Sequence, residues 1–389
     1  MFKSFRVGSV LGIPLRLDIT FLLILPVFAY IIGAQVELLL DLLEPVIPVE
    51  ITADELVDGH LQWALGLAGA LGLFLCVGLH ELGHSVAAMR YAYHIESITL
   101  WIFGGIAQLT DTPEHWRHEF VIALAGPVVS LALGALTYLP LLVYEWPAVV
   151  TFLLAYLAVM NVALAGFNML PAFPMDGGRV LRALLARNRS LPRATKLASE
   201  IGKLFAVLIG IFGLFTFNII LIGIAFFVYI AASGETERVM MEAALGGVRV
   251  DDVMTPADEV HVVHPQTTIA ELLDRMFAER YTAYPVVANH EPIGMVTLAD
   301  AQQVQEFERQ ALEVRDVMSR EMRTVAADGD AMDAIVQMQQ AGVDRLFVVD
   351  RDGDFVGVVS HSDLIRVFHL MRESGDWDRT PRSERSLQR

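Results

Sequence analysis

Long apolar stretches fill the first part of this chain, and they limit its fold more than any other feature. A helix that crosses a bilayer needs about 20 mostly apolar residues. Segments reading that way are Leu17–Gln35, Leu61–Arg90, Glu119–Tyr144, Ala148–Leu170, Leu197–Phe215 and Phe217–Ser233. The last two are separated only by a short turn near Asn218, so a single broken span is the alternative there. Backbone polar groups in lipid must be satisfied within the segment, which makes these stretches helices. The apolar runs stop near Ala232, and from Gly234 onward the sequence reads as soluble α/β. The expected organisation is therefore 1–233 as a membrane domain, 234–372 as a soluble module and 373–389 as a disordered, charged tail.

Loop charges orient the bundle. Lys3, Arg6 and Arg16 precede the first span, and Arg179, Arg182, Arg187, Arg189, Arg193 and Lys196 follow the fourth. The loop from Glu37 to His60 carries acids but no Lys or Arg. The positive-inside rule places the first two regions in the cytoplasm and the acidic loop outside. An even number of spans then puts both termini in the cytoplasm, the chain being a multi-pass protein of the cell membrane. No cleavable signal peptide is apparent at the start, because the apolar stretch lacks a small-residue cleavage site.

One span carries His80-Glu81-Leu82-Gly83-His84. On a helix, positions i and i+4 share a face, so both imidazoles can reach one metal ion while Glu81 takes a proton from its water. Ionisable groups inside a membrane are costly and mark function. A catalytic zinc ordinarily has three protein ligands and one open position. Candidates for the third ligand are Cys76, one turn earlier, His94, His115 and His118, and the best candidate is Asp176. Asp176 lies in Asn168-Met169-Leu170-Pro171-Ala172-Phe173-Pro174-Met175-Asp176-Gly177-Gly178, a proline-interrupted stretch at an apolar edge. Spacing alone leaves two readings of Asp176 open: a metal ligand, or a cap for the helix starting near Arg179.

Between the second and third spans, Ile95–Leu109 is rich in β-branched and aromatic residues. It is predicted to form a greasy hairpin turning at Gly104-Gly105. The soluble region repeats itself: Val250-Asp251-Asp252-Val253-Met254-Thr255 matches Val314-Arg315-Asp316-Val317-Met318-Ser319, and Ile293–Asp300 matches Val356–Asp363. The helices predicted at Thr268–Arg280 and Ala331–Ala341 correspond as well, giving copies at 249–309 and 313–371.

The histidine motif together with Asn168…Met175-Asp176-Gly177 resembles the two signatures of the site-2 protease family of intramembrane metalloproteases. The glycine hairpin and Ala125-Gly126-Pro127 are similar to that family too. The resemblance implies a three-span catalytic core and zinc held by His80, His84 and Asp176. It also implies Glu81 as general base, and Asn168 as an aid to substrate or oxyanion, with Asn161 a competitor for that role. The implied reaction is hydrolysis of peptide bonds within or near transmembrane segments of other proteins. The repeat resembles a cystathionine-β-synthase (CBS) domain pair. That resemblance implies regulation of the protease through ligand binding or homodimerisation, with ATP or AMP held by Thr297 and Asp300 in one copy and Ser360 and Asp363 in the other. Helix capping by the same four residues is the alternative. The expected fold class is thus an α-helical polytopic membrane protein with about six transmembrane helices and a short β-hairpin, plus a soluble α/β CBS pair. The rivals are a CBS-gated ion channel or transporter, and a proteolytically inactive zinc-binding scaffold.

The net charge is −17, with 45 acidic residues against 28 basic ones. That disfavours a nucleic-acid partner, which needs a basic face. Lys3, Lys196 and Lys203 are the only lysines. Acid-rich, lysine-poor composition suits a high-salt organism. The thermal midpoint is accordingly expected to rise as KCl is brought to molar concentration; a midpoint indifferent to salt removes that reading.

Overall fold

The computed structural model describes residues 4–48, 51–101, 104–109, 113, 115–289 and 291–374. They fall into two compact units, Met1–Glu237 and Arg238–Arg389. Most of the tail expected at 373–389 lies outside the described residues.

The first unit opens with two strands, β1 (Ser4–Val10) and β2 (Ile13–Asp18). Helices α1 (Ile19–Ala34), α2 (Val36–Leu43) and α3 (Leu61–Arg90) follow, then strands β3 (Ile95–Trp101) and β4 (Gly104–Leu109). The unit continues through α4 (Trp116–Val143), α5 (Ala148–Asn168), α6 (Asp176–Ala186), α7 (Leu191–Phe215) and the greater part of α8 (Ile219–Leu245), whose last turns belong to the second unit. Among the described residues five helices, α3, α4, α5, α7 and α8, are long and apolar enough to cross a membrane, or six spans if α1 and α2 count as one.

The start of the chain differs from the expected single span Leu17–Gln35. Leu17 belongs to β2, and Asp18 accepts hydrogen bonds from the Thr20 backbone at 2.9 Å and hydroxyl at 2.7 Å, so that α1 begins at Ile19. The path then bends by 70° between α1 and α2. Here a polar cap overrode the apolar run. At the other end, α8 runs on past Ser233 to Leu245, because Glu, Thr, Arg and Met residues can continue a helix once the apolar run stops.

Small residues set the helix spacing. A Cβ on Gly66 of α3 would lie 2.1 Å from the Ala29 carbonyl oxygen, so α1 and α3 touch backbone to backbone. Apolar lipid provides no hydrophobic drive for helix association, and close approach through small residues takes its place. Leu65, Ala70, Leu73, Phe152, Ala155 and Tyr156 form a buried cluster where α3 meets α5.

The four strands make one sheet in the order β1-β2-β3-β4. β2 runs parallel to β3, with Leu15 opposite Ile98, and the other pairs are antiparallel. The expected turn at Gly104-Gly105 is not where the chain turns. Trp101 pairs with Gly104 and Leu100 with Gly105, so both glycines belong to β4, and the connecting Ile102 and Phe103 lie outside the described residues.

The second unit contains α9 (Val250–Val253), β5 (Thr255–Pro256), α10 (Ile269–Glu279), β6 (Ala283–Ala288), β7 (Glu291–Thr297) and α11 (Leu298–Gln302). The second repeat supplies α12 (Val314–Val317), β8 (Thr324–Ala326), α13 (Ala331–Ala341), β9 (Arg345–Val349), β10 (Phe355–Ser360) and α14 (His361–Ser374). Each repeat lends its opening segment to the other. Thr255 of the first copy pairs with Val358 in β10, and Ser319 of the second bridges to Met295 in β7. The receiving strands carry glycine at matching points: a Cβ on Gly294 would lie 2.4 Å from the Ser319 carbonyl oxygen, and one on Gly357 2.5 Å from that of Thr255. Two cores result, one around Leu272, Tyr284 and Val296, the other around Ile335, Val348 and Val359.

Candidate metal centre

Helix α3 presents His80 and His84 one turn apart on its inner face. Both are buried, at 3% and 6% exposed. Their Nε2 atoms are 3.2 Å apart. The carboxylate of Asp176 closes the triangle, with Oδ2 3.1 Å from His80 Nε2 and 3.2 Å from His84 Nε2.

Asp176 reaches this point because of the loop before it. That loop turns tightly after α5, with a cis bond at Phe173-Pro174. A Cβ on Gly177 would lie 2.4 Å from the carbonyl oxygens of Met169 and Leu170, and one on Gly178 would lie 2.7 Å from the Ala172 carbonyl carbon. Only glycines let the first turn of α6 sit so close to the loop. The position ahead of the helix, Met175, contributes no side-chain cap, and the Asp176 carboxylate is turned toward the imidazoles. Of the two readings left open by spacing, the geometry has Asp176 facing the histidines.

Helix α4 orients both rings. His84 Nδ1 lies 2.7 Å from the carbonyl oxygen of Ile122. A carbonyl only accepts, so Nδ1 carries the proton and Nε2 keeps its lone pair in the neutral ring. His80 Nδ1 lies 2.8 Å from the Ser130 hydroxyl. Between these partners is Gly126, where a Cβ would come within 2.2 Å of His84 Nε2 and 2.6 Å of His80 Nε2. Ile122, Gly126 and Ser130 recur at intervals of four and form one stripe of α4. Ser130 and Ile122 were missed in the sequence, since a hydroxyl or a carbonyl inside an apolar run carries no signature. Gly126 was noticed only through the family resemblance.

The donor set suits zinc. Two imidazole nitrogens and a carboxylate oxygen converge with mutual separations of 3.1–3.2 Å. The edges of a tetrahedron with zinc–ligand bonds of about 2.0–2.1 Å are about 3.3 Å. Lone pairs facing one another at such distances, in a buried site, call for a cation between them.

Glu81 is partly buried beside the triangle, one carboxylate oxygen lying within 4.8 Å of a ring nitrogen of each histidine. Strand β4 lies directly upon it. A Cβ on Gly105 would lie 2.2 Å from Glu81 Cγ. Gly104, at φ +128°, adopts a conformation that favours glycine. The two glycines therefore serve the approach of the strand to the acid.

The other candidates are elsewhere. Cys76 is a free, buried thiol. His115 accepts a hydrogen bond from the Arg117 backbone at the start of α4, and His118 stacks on Tyr91 at 4.2 Å. His94 is in the short segment before β3. Asn168 is the last residue of α5, and among the described residues it makes no hydrogen bond to the cluster. Asn161 is fully buried, donating to the Leu157 carbonyl at 2.8 Å, and its side-chain oxygen has no partner.

In the second unit the Thr297 hydroxyl donates to Asp300 at 2.7 Å, and the Asp300 backbone N–H donates back to it at 3.2 Å. Ser360 and Asp363 form the same arrangement. Both pairs are helix-capping boxes. A cavity of about 700 Å³ between the repeats is lined by Thr297 and Ser360, with Arg345 and His361, among the described residues.

Comparison with known proteins matches both parts of the chain to families. The model described as Peptidase family M50 matches residues 68–148 and 144–211, and that described as CBS domain matches 250–304 and 314–370. Zinc metalloprotease MJ0392 of Methanocaldococcus jannaschii is 34% identical over 368 residues, 95% of this chain and 97% of the relative. A solved structure, the Site-2 Protease from Methanocaldococcus jannaschii, is 34% identical and covers 60% of this chain and 95% of its own, with a TM-score of 0.41.

The contact at Gly126 gives a direct test. Gly126→Ala is expected to push the imidazoles off their positions and to weaken zinc binding at least about tenfold, as measured by chelator competition. Wild-type affinity in that variant would show that α4 does not confine the rings.

Proposed function

The chain belongs to peptidase family M50, as a membrane zinc metalloprotease of the site-2 protease type with a CBS domain pair, and we propose that it cuts peptide bonds within or near transmembrane segments of other proteins. The observation that carries this reading is the position of the His80–His84–Asp176 triangle: two of its members are on a membrane-length helix, and all three are buried.

In this reading His80, His84 and Asp176 hold the metal. Zinc bound there would polarise the scissile carbonyl and bring the pKa of its water toward about 7. Glu81 accepts the proton of the attacking water on its carboxylate and returns a proton to the leaving amine nitrogen. The Ile122 carbonyl and the Ser130 hydroxyl keep the ligand rings in one orientation throughout. Asn168, at the end of α5, is assigned to the substrate or its developing oxyanion.

A substrate helix has to unwind before its amides are reachable. β4 is the last strand of its sheet and lies on Glu81, so an extended substrate segment can add to it as a further strand. The arginines between Arg179 and Arg193 support a cytoplasmic location for the mouth of the site and for both termini.

Purified wild type and Glu81→Gln should both contain zinc, while cleavage of a transmembrane substrate falls by about 10²–10⁴-fold or more in the variant. In the same assay Gln108→Pro, which removes a backbone donor from β4, should slow cleavage. Zinc without cleavage in the wild type, where a positive control cuts, favours the inactive scaffold. Unchanged cleavage by Gln108→Pro ends the strand-addition reading.

The CBS pair is assigned to control by an adenine nucleotide and to homodimerisation. The cavity volume is within the range of about 300–1,000 Å³ common for small-ligand sites. Arg345 at its wall donates to the Ala283 carbonyl at 2.7 Å, and burial holds its guanidinium below the ordinary arginine value, so an anionic ligand there is favoured. Thr297 and Ser360 offer hydroxyls, while Asp300 and Asp363 hold them in place. Titrating ATP or AMP into wild type and Arg345→Ala should give about tenfold or more weaker binding in the variant, with light scattering of the same samples reporting the dimer. Equal heats would remove the nucleotide assignment.

A further inference from the structure

Arg182 sits in α6, six residues beyond Asp176, and is 5% exposed. Its Nε donates to Glu119 Oε1 at 2.6 Å, and a second nitrogen lies 2.5 Å from the same oxygen. Its third nitrogen donates to Glu235 of α8 at 2.5 Å. Its guanidinium lies 5.2 Å above the ring of Phe173, in the loop that leads into Asp176. Glu119 is itself 4% exposed. One arginine thereby ties together α4, α6, α8 and the Asp176 loop.

Such a triad is a poor means of stabilising an apolar bundle. The cost of desolvating buried ions largely offsets their attraction, and well-packed apolar substitutes are often as stable. What a guanidinium supplies instead is direction: its planar fork accepts partners only at fixed angles, which an ammonium does not require. The close contacts at Gly177 and Gly178 set how near the first turn of α6 lies to its loop, but glycines have no side chains to interlock and so leave the rotation of the helix to contacts further along. Further on, Leu181 and Leu185 pack against Phe173, Ala198 and Ala232, greasy contacts that tolerate small rotations. Glu119 is three residues before Ile122, whose carbonyl holds His84. A single face of α4 therefore fixes His84 directly and reaches α6 through Arg182.

We propose that Arg182 is a positioning residue for the metal centre: clamped between Glu119 and Glu235, it sets the rotation of α6 and thereby aims the Asp176 carboxylate at His80 and His84. This rests on the reading of Asp176 as a metal ligand. Arg182 touches neither metal nor substrate; it acts through the helix that begins with Asp176.

The test uses the full-length chain stripped of metal and titrated with Zn²⁺ under chelator competition, then with Co²⁺ to record its visible absorption. Arg182→Met is expected to bind Zn²⁺ about 10–100-fold more weakly, the usual effect of losing a partner that orients a ligand. Its Co²⁺ spectrum should move toward that of Asp176→Asn, and its metal-free thermal midpoint should fall as well, because Glu119 is left buried without its partner. Arg182→Lys should fall between the two. If Arg182→Met does not fold, Glu235→Gln carries the test, with the same spectral direction and a smaller loss of affinity.

Wild-type affinity and spectrum in the folded Arg182 or Glu235 variant, with Asp176→Asn clearly altered, overturn the clamp and leave the ligand reading intact. A lower metal-free midpoint with an unchanged spectrum also overturns it, since the triad is then structural. An Asp176→Asn variant indistinguishable from wild type overturns the ligand reading, and the clamp with it.

Discussion

The candidate metal centre depends on how α4 packs against α3. Two imidazoles can serve one cation only if both present a lone pair to the same point, and that requires their other nitrogens to be engaged elsewhere. Ile122 and Ser130 engage them, and Gly126 leaves room for the rings between the two helices. The carbonyl of Ile122 is an unusual partner, because a helical carbonyl already accepts a backbone hydrogen bond; its second lone pair is what His84 uses.

Close backbone approach recurs wherever function needs precision in this membrane unit. Gly66 brings α1 onto α3, Gly105 lays β4 over Glu81, Gly126 admits the histidines, and Gly177 sets the first turn of α6 onto the loop behind it. Lipid tails do not drive helices together, so shape complementarity through small residues does the work that hydrophobic burial does in water. The same contacts that hold the bundle therefore define the site, and a methyl group added at any of them meets backbone or a site side chain rather than empty space.

The soluble unit uses a different logic. Its two copies exchange their opening segments, and Gly294 and Gly357 receive the Ser319 and Thr255 carbonyls at equivalent points. Neither copy completes its sheet alone. Swapping makes the pair one folding unit, and both Thr297 and Ser360 line the cavity between the copies. The capping boxes at Thr297-Asp300 and Ser360-Asp363 fix those hydroxyls at helix starts, so capping and wall-lining are properties of the same residues.

The sequence by itself determined the membrane class, the extents of α3 and α5 to within two residues, the internal repeat and the pairing of His80 with His84, because period and length are local properties of a chain. It singled out Asp176 as the best candidate for a third ligand, though spacing admitted a helix cap equally well. Tertiary structure decided what depends on contacts between distant segments: that the Asp176 carboxylate faces the histidines, that β1 and β2 join the sheet, that Gly104 and Gly105 lie in a strand rather than a turn, and that Ser130, Ile122 and Arg182 stand around the site. A serine, a carbonyl or an arginine acquires such a role from the partner it meets, and no pattern along the chain records that partner.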